Sequence, residues 1–284
     1  MNIPKGKKKF KIKFPDGQFS FVDEKIFKIF QEYDQREKNF KKLPKFYDLT
    51  SYIDTYDKRL LEFYSFILMN HHISFSQLFQ DLFVIFCLKY KKNGKFLEFG
   101  ATNGLKLSNT FLLEKNFGWQ GVLAEPSPQW HKELKKNRPS TTIITDCIFT
   151  SSGDFLDFFV SKSGELSTLQ EFRYSTKDSI SCGNDFERNK SGYLVKVSTI
   201  SLNDVFKKYF ESKPIDYMSV DTEGSELAIL ENFDFEKFGP KILTVEHNEV
   251  SEYQEKIHKL LEKNNYRLAF KEYSQFDGWY IRKI

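Results

Sequence analysis

From residue 95 onward the chain repeats one unit: a short apolar run, a turn, then a segment with apolar residues three and four apart. KFLEF leads into LSNTFLLEKNF, GVLAE into PQWHKELKKN, DYMSV into SELAILENF, and KILTVEH into EYQEKIHKLLEKN. Short continuous apolar runs are what strands buried on both faces require, and helices between them require parallel pairing with right-handed crossovers. The pattern therefore predicts an α/β fold, a doubly wound sheet. TTIIT supplies one more strand, and the closing runs YRLAFKEY and GWYIRKI, joined by SQFD, predict an antiparallel C-terminal hairpin at one edge.

Before about residue 90 the rhythm differs. VDEKIFKIFQEYDQREKNF, KRLLEFYSFILMNHH and SQLFQDLFVIFCLKY carry helical spacing, with Phe63 and Phe66 beside Ile67 as core positions. Two parts follow: residues 1–90, a basic tail and N-terminal helical extension forming a cap, and 91–284, the α/β domain. Residues 150–195 are largely polar and interrupt the alternation, as an insertion or lid does. His71 and His72 fall before the recognisable block and read as surface residues.

The net charge of +4 is misleading, because the first fourteen residues hold six lysines and no acid, leaving about −2 for the rest. A near-neutral body argues against a nucleic-acid groove, and the tail reads as a solvated charge run. No apolar run approaches the roughly 18 residues of a membrane span, and the N-terminus lacks the apolar core of a secretory signal. Cys87, Cys147 and Cys182 are few and widely spaced, so neither a disulfide framework nor a zinc site is signalled. A cytoplasmic location is the expectation.

Strand-end turns are where ligands bind in such sheets, and KFLEF ends in GATNG. Gly100 and Gly104 let a ligand approach the backbone, yet their G-x-x-x-G spacing lacks the third glycine of a pyrophosphate cradle. The second strand ends in Glu125, placed to accept both hydroxyls of a ribose. The third ends in Asp146, placed to meet an adenine amino group. A glycine turn, a ribose carboxylate and no phosphate site describe an adenosine pocket, of which S-adenosylmethionine is the common occupant.

The stretch FLEFGATNGLKLSNTFLLEKNFGWQGVLAEPSP resembles, in unbroken order, the glycine motif, SNT helix start, GW turn and EP motif of the FkbM family of S-adenosylmethionine-dependent methyltransferases. DYMSVDTEGSELAIL, TVEHN and SFSQLFQDLF are similar to its other motifs, so the resemblance spans about residues 73–284. Asn103 stands where many relatives carry Asp. The resemblance implies a class I (Rossmann-like) methyltransferase fold and methyl transfer, commonly to a hydroxyl of a sugar or polyketide, a chemistry suited to polysaccharide biosynthesis. It further implies that Glu98, Gly100, Asn103, Gly104, Ser108 and Asn109 surround the methionine part. Glu125 with Pro126 would meet the ribose, and Asp146 with Cys147 the adenine edge.

Methyl transfer from a sulfonium asks the protein to hold an acceptor oxygen in line and remove its proton. VDTEGSE and VEHNE end the fourth and fifth strands, which brings Asp221, Glu223, Glu246 and His247 to the cofactor's edge of the sheet. His247, Asp221 and Glu223 are the candidate bases, and Asn248 a candidate acceptor contact. The alternative is a divalent cation, such as Mg2+, held by Asp221, Glu223 and Glu246. Each also has a purely structural reading: Glu125 and Ser127 as helix caps, Gly224 as a turn residue, Glu226 as a partner of the helix dipole, His247 as a satisfied histidine and Asp146 as solvated.

Three other function classes compete. A nicotinamide oxidoreductase would use the same turn and Glu125, but the third glycine is missing. A non-catalytic scaffold module in glycan assembly would not need the carboxylate and histidine cluster. Nucleic-acid methylation lacks its (D/N)PP(Y/F) tetrapeptide. The expected partner is a small-molecule or glycan acceptor, with no nucleic acid; a homodimer is left open.

Overall fold

The computed structural model describes residues 10–13, 19–22, 58–174, 187–189, 191–248 and 250–283. They belong to two compact units, Met1–Ser74 and Phe75–Ile284. In the first, β1 (Phe10–Lys13) and β2 (Phe19–Val22) pair antiparallel, and α1 (Lys58–Asn70) buries Leu60, Phe63, Phe66 and Ile67. Strands inside the basic tail depart from the solvated run expected there. FKIK and FSFV each alternate an apolar with a polar residue over most of their length, the period of a strand, and lysine count obscures it. Val22, the first residue of the expected helix, ends β2 instead; the rest of that helix, 23–40, the remaining tail lysines and Cys182 lie outside the described residues.

The second unit is built on a seven-stranded sheet. Its strands are β3 (Lys95–Phe99), β4 (Gln120–Ala124), β5 (Thr142–Ile144), β10 (Tyr217–Val220), β11 (Ile242–Glu246), β12 (Tyr266–Leu268) and β13 (Asp277–Arg282). The spatial order β12-β13-β11-β10-β3-β4-β5 winds outward in both directions from β3 and β10. β5, β4, β3, β10 and β11 are parallel; β13 runs antiparallel to both β11 and β12. This is the doubly wound sheet that the alternation predicts. The link between the last two strands is longer than SQFD, because β12 stops at Leu268 and α9 (Lys271–Ser274) intervenes.

Strand positions Leu97, Phe99, Val122, Met218, Val220, Leu243 and Val245 share one buried cluster with Val205 and Phe206, Ile229 and Leu230, and Ile257 and Leu261. Those pairs come from α5 (Leu202–Tyr209), α6 (Glu226–Glu231) and α8 (Ser251–Lys263). Fully burying each such aliphatic or aromatic side chain contributes about 1.5–3 kcal/mol, and this is what fixes the sheet's register. On the β3–β4 side the crossovers are α3 (Phe111–Phe117) and α4 (His131–Asn137). α2 (Gln80–Cys87) and α7 (Phe235–Phe238) complete the unit's helices named here.

The polar stretch holds more order than its composition suggests. β6 (Cys147–Phe149), β7 (Phe155–Ser161), β8 (Thr168–Leu169) and β9 (Gly192–Ser201) form a second sheet in the order β6-β9-β7-β8. DFLDFFV and GYLVKVSTI were strand-like runs hidden among serines and lysines. α5 follows β9 directly, its first N–H groups served by Ser201, whose Oγ accepts from Asp204 N at 3.2 Å. Among the described residues no helix is long and apolar enough to cross a membrane.

Candidate active site

The carboxyl ends of β3, β4, β10 and β11 open onto one cavity of about 630 Å3. At β3 the chain turns through Gly100, φ +81°, where any Cβ would meet the carbonyl oxygen of Asp221 at 1.8 Å. The N–H groups of Gly100 and Ala101 both donate to Ala124 O at 3.2 Å, which ties the turn to β4. Glu125, just past β4, is buried in the cavity wall. Its Oε2 accepts from Thr102 N and its Oε1 from Ser127 N, each at 2.7 Å. Burial pushes its carboxyl up to about 7, against the pull of those two bonds.

Glu98 is the fulcrum of the SNT turn. Its carboxylate accepts from Asn109 N at 2.7 Å, from Ser108 Oγ at 3.0 Å and from the Thr110 hydroxyl. Burial raises its pKa, while the nearby Arg138 guanidinium and these three bonds act to lower it. Asn109 Nδ2 donates to Ser219 Oγ at 2.9 Å, while its Oδ1, buried in the cavity wall, has no hydrogen-bond partner among the described residues. Asn103 and Gly104 stand apart from the cavity lining. Asn103 Oδ1 accepts from Leu105 N and Lys106 N, and Gly104 gives room to Leu134 and Arg138, whose side chains a Cβ would meet at 2.5 and 2.8 Å.

The residues expected at the ribose and the adenine edge separate. Pro126 and Cys147 line the cavity, and burial pushes the Cys147 thiol up to about 12, so it stays protonated and apolar. Asp146 instead accepts from Ser198 Oγ at 2.5 Å and lines a different, shallow cleft with Asp204 and Lys207.

The opposite end of the cavity is acidic. Asp221, Glu223 and Glu246 each offer a ligand oxygen, all within 4.8 Å of one another. Burial first, and then the neighbouring carboxylates, push Asp221 and Glu246 well above the usual carboxylate range. Asp277 faces Glu246 across the β11–β13 pair, and burial raises it to about 7 while Gln80 Nε2 donates to it at 2.7 Å. Asn248 Nδ2 donates to Glu246 Oε2 at 2.9 Å. His247, between these two lining residues, lies outside the lining. Its N–H donates to Phe276 O at 2.8 Å, its Nε2 sits 3.2 Å from Gln254 Nε2, and burial lowers its pKa.

The turn after β10 is shaped by Glu226 rather than by glycine alone. Thr222 N, Gly224 N and Thr222 Oγ1 donate to Glu226 Oε1 at 2.7 to 3.1 Å, and Tyr253 OH donates to Oε2 at 3.0 Å. Glu223 takes φ +60° and Gly224 φ +123° within it. Glu226 is thus more than a partner of the helix dipole: it templates the loop. Residues that sequence reading passed over are Gln77, Gln80, Asp277, Thr168 and Arg188. Gln77 and Gln80 sit in the SFSQLFQDLF motif and Asp277 in the final link, but no spacing marks them as lining.

No match was found among curated proteins. Solved structures similar to the chain include a precorrin-6y C5,15-methyltransferase from Geobacter metallireducens (10% identity, 71% of this chain and 85% of that one, TM-score 0.37). A ribosomal protein L11 methylase from Lactobacillus delbrueckii gives 8% identity, 72% and 77% coverage and a TM-score of 0.38. An SAH-bound methyltransferase from Podospora anserina gives 12%, 85%, 98% and 0.37. The model of the Methyltransferase FkbM domain matches residues 98–268, which runs from Glu98 in β3 to Leu268 in β12 and so takes in the glycine turn, Glu125 and the carboxylate cluster. The chain belongs to the FkbM family of S-adenosylmethionine-dependent methyltransferases.

Proposed function

We propose that the chain is an O-methyltransferase that acts on a hydroxyl of a sugar, glycan or related small molecule, as part of polysaccharide biosynthesis. The observation that carries the reading is continuity: one cavity is lined at one end by Gly100, Asn109 and Glu125 and at the other by Asp221, Glu223 and Glu246. The residues fit S-adenosylmethionine. Gly100 brings the backbone of the β3 turn to the cavity wall, and the Asn109 Oδ1 without a partner among the described residues is an acceptor suited to the methionine ammonium. Glu125 keeps a free lone pair on each oxygen for the ribose hydroxyls, with Pro126 and Cys147 as the apolar wall beside the base. Glu98 and Ser108 line this end as well, Asn103 and Gly104 shape it from behind, and Asp146, which lines the neighbouring cleft, meets the adenine amino group only if it turns into the cavity.

The cofactor supplies an electrophilic methyl on a sulfonium. The chain's part is to orient the acceptor and take its proton. Asp221 and Glu246, both raised by burial and by the neighbouring carboxylates and hydrogen-bonded to each other, are the groups placed to take it. Gln77, Gln80, Asn248 and Asp277 give the same end the hydrogen-bonding density that a polyhydroxyl acceptor needs. His247 acts by fixing the strand end that carries Glu246 and Asn248. The second reading, a divalent cation such as Mg2+ on Asp221, Glu223 and Glu246, draws on the 4.8 Å gathering of their oxygens.

Calorimetry with S-adenosylmethionine and S-adenosylhomocysteine, with magnesium or with a chelator, tests both. Micromolar binding of both ligands followed by methylation of a sugar hydroxyl in an acceptor screen is the expected result. Absence of binding removes the enzyme reading, and turnover abolished by the chelator transfers it to the metal.

A further inference from the structure

The Asp221–Thr222–Glu223 turn is gripped by two residues of the 150–195 segment. Thr168, in β8, donates its hydroxyl to Glu223 O at 3.0 Å and to Thr222 O at 3.3 Å. Arg188, fully buried, places Nη2 2.5 Å from Glu223 Oε2. Its guanidinium is itself tethered: Nε donates to Leu166 O at 2.8 Å and Nη1 to Arg173 O at 3.4 Å, while the Ser161 hydroxyl donates to Arg188 O at 3.3 Å. A planar fork held at several points cannot swing aside as a lysine would.

Three carboxylates crowded within 4.8 Å, Glu223 and Glu246 buried and Asp221 half-buried, repel one another, and such a set is relieved by a proton, a metal ion or a fixed cation. Arg188 is a fixed cation, engaged with the member of the set whose backbone is in the left-handed region. Asp221 and Glu246 are left hydrogen-bonded to each other.

We propose that Arg188 is a positioning residue that acts as the resident cation of the carboxylate cluster. By holding Glu223 it fixes the turn that presents Asp221 to the acceptor, and it removes Glu223 from the set of oxygens open to a divalent cation. This rests on the reading of Asp221 and Glu246 as the acceptor-facing pair. It extends that reading by assigning the metal independence of the site to one guanidinium from a segment outside the main sheet.

The test is a calorimetric titration of Mn2+ into the full chain saturated with S-adenosylhomocysteine. The wild type is expected to show no saturable uptake. Arg188→Met gains Mn2+ binding at least about tenfold tighter, and the added Glu223→Gln change removes the gain, an outcome that a merely structural arginine would not produce. Wild-type binding as tight as that of Arg188→Met, or unchanged behaviour across all three proteins, overturns the proposal. Should Arg188→Met not fold, Arg188→Gln takes its place in the same three-protein comparison, with the same outcomes for and against. Failure of the base reading has a separate sign, normal turnover by Asp221→Asn, which the Mn2+ titration does not touch.

Discussion

The carbonyl oxygen of Asp221 occupies the space where a side chain on Gly100 would stand, 1.8 Å from an ideal Cβ. The first and fourth parallel strands thereby interlock at the cavity floor. Gly153 provides a control, since its φ of +86° is close to the +81° of Gly100 but nothing lies within 4 Å of its Cβ position. Alanine at either site incurs the left-handed penalty of about 1–2 kcal/mol. Only at position 100 must backbone also move, which adds about 1–3 kcal/mol. Urea unfolding is expected to rank Gly100→Ala below Gly153→Ala by that margin; equal midpoints would mean that the β3–β10 contact is looser than described.

Arg138 is the second prediction. It is fully buried, pairs with Glu114 at 2.5 Å, and donates to Gly104 O, Ser108 Oγ and Thr110 Oγ1 at 3.1 to 3.2 Å. It joins the glycine turn, the SNT turn and α3. Arg138→Met leaves Glu114 and the turn acceptors without their donor, and a loss of about 3–5 kcal/mol follows. Arg138→Lys restores charge but not the fork, so it recovers only part of that loss. Recovery of full stability by lysine, read from thermal or urea midpoints, would show that charge alone matters there.

The sheet was legible because its strands are buried on both faces and therefore write themselves as apolar strings such as YMSV and ILTVE. The convergence of Glu125 and Asp221 on one cavity was legible for a related reason. Glu125 and Asp221 sit at strand ends, where the fold converts sequence order into adjacency. His247, Asn103, Gly104 and Asp146 sit at the same ends, yet their side chains or backbones serve neighbouring turns, and a one-residue difference in direction is invisible to spacing. Arg188 was illegible altogether: it lies 35 positions before Glu223 in a run of polar residues, and only the second sheet brings the two together.

Glu125 gives a pH prediction. Ribose hydroxyls donate best to the ionised carboxylate, and burial has raised this carboxyl to about 7. Affinity for S-adenosylhomocysteine is therefore expected to fall as pH drops through about 7, and Glu125→Ala to bind weakly at every pH with that slope gone. The ligand-free fold behaves oppositely. Between its ordinary value of 4.5 and about 7 the folded chain keeps a proton that the unfolded chain has released. The contribution of Glu125 to stability is thus greatest at low pH and is lost as pH rises through that window. Calorimetry at several pH values checks the first slope and urea midpoints of wild type against Glu125→Ala the second; a flat wild-type affinity profile counts against the ribose assignment.

Asp221 and His247 part company in the last prediction. Asp221 lines the cavity, hydrogen-bonds Glu246, and is raised by burial and by neighbouring carboxylates, the environment of a general base. Its replacement by Asn keeps the shape and removes the proton acceptor, so turnover should drop on the order of 10² or more with S-adenosylhomocysteine affinity unchanged. His247 reaches Gln254 instead, and burial lowers its pKa, so it is neutral and outside the lining. His247→Gln should leave kcat within about tenfold of wild type, because what it disturbs is the seating of Glu246 and Asn248 rather than a proton path. Steady-state kinetics on an identified acceptor separates the two, and a His247→Gln loss as deep as that of Asp221→Asn would move the base from the carboxylate pair to the imidazole.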